Sequence, residues 1–168
     1  MAGPYRSGDG RLTVVLWRIS NHATLDGLGG MRASGRWSSR GRPVVYCAPD
    51  PSTALLETLV HLEVDTEDLP DAFQWLRISV PEDIALDRAD ITHLPQDWSQ
   101  HPRLTQVYGD RWLADGAAPL LRVPSVLVPE TWNVLLNPRH PAATRCAISA
   151  TYRYPLDTRL AQRPGCPS

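Results

Sequence analysis

Residues 34–62 read SGRWSSRGRPVVYCAPDPSTALLETLVHL, and they hold a turn, a strand and a helix in immediate succession. Gly41, Arg42 and Pro43 form a turn cluster, because glycine and proline interrupt regular structure. Val44 to Ala48 is a continuous apolar run, which predicts a strand buried on both faces with Tyr46 inside it or at its end. The helix after it has a defined start. Asp50 is placed to accept the free N–H groups of the first turn, and Pro51 suits the first helical position, where its missing N–H costs nothing. Leu55, Leu59 and Leu62 recur at i, i+4 and i+7 and predict the core-facing stripe. Glu57 falls well round the helix from that stripe, on the side of Ala54 and His61. An exposed glutamate on a solvated face is the ordinary interpretation of such a position. The alternative is a functional acid, and it draws on the company of Tyr46, Arg36 and Trp37 in one compact unit.

Upstream, Leu12 to Ile19 is a predicted strand in which Val14, Val15, Leu16 and Trp17 are continuously apolar and Arg18 interrupts near the end. A charge there belongs either to the rim of the sheet or to a cleft. His22 to Ser34 carries Gly27, Gly29 and Gly30 and is expected to be a flexible loop, at most the edge of a lid. It lacks the GxGxxG spacing of a phosphate cradle, and no helix is evident after the preceding strand.

Downstream, residues 63–71 are acidic and include Pro70, which ends the helix. Phe73 to Val80 predicts a strand closed by Pro81. Residues 81–102 are polar, with Ile84, Leu86, Ile91 and Leu94 as anchors, and His93 and His101 lack metal-ligand spacing. Thr105 to Ala114 predicts a short helix with Val107, Trp112 and Leu113 inward, stopping near Gly116. Leu120 to Val128 predicts a further strand, and Pro124 within it implies a sheet edge or a bulge, because proline cannot donate to the ladder. Ser125 follows as a turn residue with no neighbouring base to make it a nucleophile. In residues 131–141 the Asn137-Pro138 pair signals chain reversal, and Ala147 to Tyr154 predicts the last strand. Together these elements indicate an α+β fold with a mixed, mostly antiparallel sheet that splits to leave a cleft, with flanking helices.

At 168 residues the chain suits one domain, expected over residues 11–158 between a leader (1–10) and a tail (159–168). Its 17 basic residues are all arginine, so chemistry through a lysine Schiff base or a lysine-dependent phosphate loop is excluded. A net charge of −1 argues against nucleic acid as a partner, since phosphate binding depends on clustered positive charge. The three cysteines, Cys47, Cys146 and Cys166, form neither a disulfide framework nor a zinc pattern, which fits a reducing cytoplasm and no metal. Neither a signal peptide nor a membrane span is evident, so a cytosolic protein without a membrane partner is expected.

Four stretches occur in the order found in one known family: LWRIS at Leu16 to Ser20, SGRWSSRGRPVVYCA at Ser34 to Ala48, ALLETL at Ala54 to Leu59, and VPSVLVPETWNVLLNPRHP at Val123 to Pro141. In these the chain resembles the RES domain family, bacterial toxins of toxin–antitoxin pairs that consume NAD and whose fold is similar to that of ADP-ribosyltransferases. The family's Arg, Glu and Ser are placed at Arg18 or Arg36, Glu57 and Ser125. Ser38 stands where the family commonly has Asn, a departure that bears on turn geometry. The resemblance implies cleavage of the nicotinamide–ribose bond of NAD+, with NAD+ as substrate and no cofactor. Glu57, Tyr46 and Arg18 are then the candidate catalytic residues, and Arg18, Arg36, Tyr46, Ser125 and Asn133 the candidate NAD-binding residues. Water or phosphate is the expected acceptor, and a helical antitoxin the expected partner. Transfer of ADP-ribose to a protein remains an alternative. So does a non-catalytic module with Trp17, Trp37 and Trp132 as anchors, and homo-oligomerisation is left open.

Overall fold

A computed structural model describes residues 5–6, 12–61, 72–155 and 157. The acidic stretch 63–71, Leu62, the tail, Cys166 and most of the leader lie outside the described residues. The first sheet is antiparallel throughout and runs in the order β1 (Tyr5–Arg6), β2 (Leu12–Ile19), β4 (Ala72–Pro81), β8 (Ala147–Pro155). The second runs β3 (Val45–Cys47), β7 (Trp132–Leu136), β6 (Leu120–Pro124), β5 (Leu86–Arg88), and only the β5–β6 pair is parallel. This is the mixed, mostly antiparallel α+β architecture expected.

Among the described residues one backbone bridge joins the sheets. The N–H of Trp17 donates to the carbonyl of Ala48 at 2.8 Å, and the N–H of Ala48 returns a bond to Trp17 at 2.7 Å. Beyond that bridge β2 and β3 belong to different sheets, and the space between them opens into a cleft.

Strand alternation sorts the second sheet's side chains into two layers. Val45, Leu120, Val134 and Leu136 pack with Leu16, Ile78 and Val80 of the first sheet to form the core between the sheets. On the opposite face Leu121, Val123 and Leu135 pack with Trp37 and Trp112 beneath helix α3 (Pro102–Asp115). The register Tyr46↔Leu135 and Val123↔Asn133 puts Tyr46 and Asn133 on this second face.

Helix α2 (Pro51–His61) starts as expected. Asp50 accepts the Thr53 N–H at 2.9 Å through one carboxylate oxygen and the Thr53 hydroxyl at 2.8 Å through the other. Its inward face differs from the expected leucine stripe: Leu55 and Leu59 are half-buried, and Ala54 is the buried residue. The helix leans over the cleft, where a small residue permits close approach.

Several boundaries also differ. The apolar run at Val44 to Ala48 contains a strand of only three residues, Val45–Cys47. The glycine-rich segment contains a short helix α1 (Leu28–Arg32). Strand β6 ends at Pro124 and lies inside its sheet, where a proline is tolerated because it is the last residue of the ladder. The segment expected only to reverse the chain contains β7, a central strand. In α3 the inward residues are Thr105, Gly109 and Trp112, whereas Val107 is 71% exposed. Leu86, expected as an anchor, is exposed.

Candidate active site

The cleft holds about 540 Å³, and Arg18, Arg36, Tyr46, Glu57 and Asn133 all line it. Four separate segments, distant in sequence, therefore converge on it: the end of β2, the turn after α1, β3 with α2, and β7. Ser125 does not line the cleft but reaches Glu57 from behind.

Glu57 is fixed by two neutral donors on one oxygen. Ser125 Oγ donates to Oε1 at 2.8 Å, and Asn133 Nδ2 donates to the same atom at 2.7 Å. The Ser125 oxygen itself accepts the N–H of Leu127 at 3.1 Å, which directs its proton toward the carboxylate. No described residue donates to Oε2. The acid thus has a set orientation with one oxygen left for a ligand, and the donors expected to hold a ligand are directed at the acid.

Arg18 is half-buried on β2. Its Nη1 donates to the Tyr46 carbonyl at a long 3.4 Å, and its Nε is buried without a hydrogen-bond partner. A buried guanidinium N–H without a partner is costly, and Arg18 carries that cost at the cleft wall. Arg36 is differently placed, because its Nη2 donates to the Ser99 carbonyl.

Tyr46 presents its ring to the cleft but not a free hydroxyl. That oxygen accepts the Trp37 N–H at 2.9 Å and lies 2.9 Å from Ser38 Oγ. Burial raises the phenol above its ordinary value. Cys47, on the same wall, is pushed up to about 12, first by burial, so it is no nucleophile near neutral pH.

Helix α3 supports the Arg36 turn from outside the cleft. Thr105 Oγ1 donates to the Arg36 carbonyl at 2.5 Å, Gln106 Nε2 to the Gly35 carbonyl at 2.9 Å, and the Ser39 N–H donates to Asp110 Oδ1 at 2.9 Å. None of these helix residues stands out in the sequence, because Thr105, Gln106 and Asp110 are ordinary members of a polar helix and the burial of Thr105 is visible only in the fold. Trp37, a proposed contact anchor, is instead 2% exposed and packs on Trp98 and Tyr108. Trp132 lies under the Arg122 guanidinium, 4.2 Å from its ring centre. Among the described residues no three His, Cys, Asp or Glu side chains converge to hold a metal, and no helix is long and apolar enough to cross a membrane.

These features define a class: two-sheet α+β proteins in which a half-buried acid, an arginine and a tyrosine meet where the sheets part. The RES domain model matches residues 15–157, and the chain belongs to the RES domain family. It is 48% identical over 147 residues to a protein named Toxin Res from Pseudomonas putida, covering 88% of this chain and 99% of that one. Against the Prs ADP-ribosylating toxin of a Sphingobium species it is 33% identical over 162 residues, covering 90% and 99%. The crystal structure of the M. tuberculosis MbcT–MbcA toxin–antitoxin complex shares the fold, with a TM-score of 0.68, 15% identity and 86% of each chain covered.

Proposed function

We propose that this protein is the toxin of a toxin–antitoxin pair and that it cleaves the nicotinamide–ribose bond of NAD+. The observation that carries this is the Glu57 carboxylate, held on one oxygen by Ser125 and Asn133 at the wall of a cleft that also presents Arg18. Departure of nicotinamide leaves positive charge on the ribose ring oxygen and anomeric carbon, as in glycoside cleavage. A fixed carboxylate accepting the ribose hydroxyls orients the sugar and stabilises that charge without reorganising. Arg18 supplies N–H groups for the pyrophosphate, a role its partnerless Nε suits. The Tyr46 ring offers a face for the nicotinamide or its ribose.

Water or inorganic phosphate then takes the ADP-ribosyl group. A second reading, transfer to a protein, is favoured by the relative named as an ADP-ribosylating toxin. The relatives' names and the solved complex support a protein antitoxin as partner, and a substrate such as NAD+ implies action in the cytoplasm. Incubating the purified protein with NAD+, with and without inorganic phosphate, and following free nicotinamide and product masses tests the proposal. ADP-ribose or its 1-phosphate is the expected product. Intact NAD+ under all conditions contradicts it, and consumption that occurs only with a protein acceptor selects the second reading.

A further inference from the structure

The Gly35–Ser39 turn delivers Arg36 to the cleft, and Tyr46 holds that turn from the cleft side. The Tyr46 hydroxyl meets the turn twice, at the Trp37 N–H and at Ser38 Oγ, both 2.9 Å away. Trp37 and Ser38 are 2% and 0% exposed, so the hydroxyl rather than bulk water is their partner. Gly35 lies flat on the phenol: a Cβ there would collide with the Tyr46 oxygen and ring. On the other side α3 grips the same turn through Thr105, Gln106 and Asp110.

We propose that Tyr46 is a positioning residue whose hydroxyl sets where Arg36 stands in the cleft, rather than a group that exchanges a proton with the substrate. A hydroxyl already bonded to Trp37 and Ser38 has little capacity left for a ligand. Its raised titration, caused first by burial, also keeps it from serving as a base near neutral pH. Removing the hydroxyl leaves the Trp37 N–H and the Ser38 hydroxyl buried without their partner, and the turn must shift to satisfy them. Arg36, whose guanidinium is anchored on the Ser99 carbonyl through Nη2, moves with it, and its remaining N–H groups lose their placement toward the phosphate oxygens.

This rests on the NAD+ reading of the cleft, and binding separates the two. Wild-type, Tyr46→Phe, Ser38→Ala, Arg36→Ala and the Tyr46→Phe/Arg36→Ala double variant are compared by calorimetry with ADP-ribose and by NAD+ kinetics against pH. Tyr46→Phe is expected to raise Kd and KM roughly tenfold, the scale of a lost buried hydrogen bond. Its kcat should fall no more than about twofold and its pH profile should keep its shape, because the ring remains and no proton transfer is lost. Adding Tyr46→Phe to Arg36→Ala should cost nothing further, and Ser38→Ala should weaken ADP-ribose binding in the same direction. A kcat loss with a missing limb of the pH profile, or a Tyr46→Phe effect that persists undiminished without Arg36, overturns the positioning role. Unchanged binding in a folded Tyr46→Phe protein does the same. If wild-type protein binds ADP-ribose and releases nicotinamide, those failures concern Tyr46 alone; if it does neither, the NAD+ reading itself fails.

Discussion

At the scale of single residues, the molecule separates two arginines that look equivalent in sequence. Arg36 has a carbonyl partner in Ser99, whereas Arg18 holds a buried Nε without one and only a long bond to Tyr46. Arg18→Ala is therefore expected to weaken NAD+ binding by about tenfold or more, since a charge-assisted hydrogen bond contributes roughly 1.5–3 kcal/mol. Unchanged affinity by calorimetry would reject that role. Cys47 supplies a pH dependence of stability. Burial lifts its thiol from the ordinary 9.0 to about 12. The unfolded chain releases this proton first, so above its ordinary value the unfolded state binds fewer protons and stability falls as pH rises. The contribution is whole below the unfolded value and is lost progressively as pH climbs toward the folded one. Melting temperature should fall as pH rises from about 9 toward about 12, and Cys47→Ala should lessen that fall. An identical drop in both proteins contradicts the assignment.

Among elements, α3 has the least visible role and the sharpest test. It places no side chain in the cleft, yet Gly109 lets its backbone lie against the Trp37 carbonyl, where a Cβ would collide. Gly109→Ala is expected to destabilise the fold by roughly 1–3 kcal/mol, the usual cost of overpacking, and to lower the melting temperature. A melting temperature at or above wild type contradicts the packing described. The elements legible in sequence were those with local chemistry: Asp50 and Pro51 announce α2, and the apolar runs announce β2, β4 and β8. Strand β7 was not legible, because Asn133 is a turn-forming residue that tertiary pairing with β3 and β6 overrides, whereas the Asn137-Pro138 pair turns the chain just beyond the strand as expected. Helix α1 was hidden by its glycines, which disfavour helix. Glu57 was recognisable as a residue out of place on α2, but its holders were not. Ser125 lies 68 positions away and Asn133 76, and no periodicity links residues at that range.

For the whole molecule, function follows from how two sheets meet and part. The Trp17–Ala48 bridge ties β2 to β3 at one point, and past it the sheets leave a cleft walled by Arg18 on one side and by Tyr46 and Asn133 on the other. Helix α2 overhangs this opening and brings Glu57 to it. The RES domain match over residues 15–157 spans all of these parts, so the cleft belongs to the fold as a whole. The central claim is that the acid at this junction drives loss of nicotinamide. Its most direct test is the rate of free nicotinamide formation from NAD+ by wild-type protein and by Glu57→Gln, which keeps size and removes charge, with folding of both verified by circular dichroism. Release by the wild type and a loss of at least about 100-fold in the variant are expected, as for removal of an electrostatic stabiliser worth roughly 3–4 kcal/mol. Equal rates in the two folded proteins, or no release by the wild type, contradict the account.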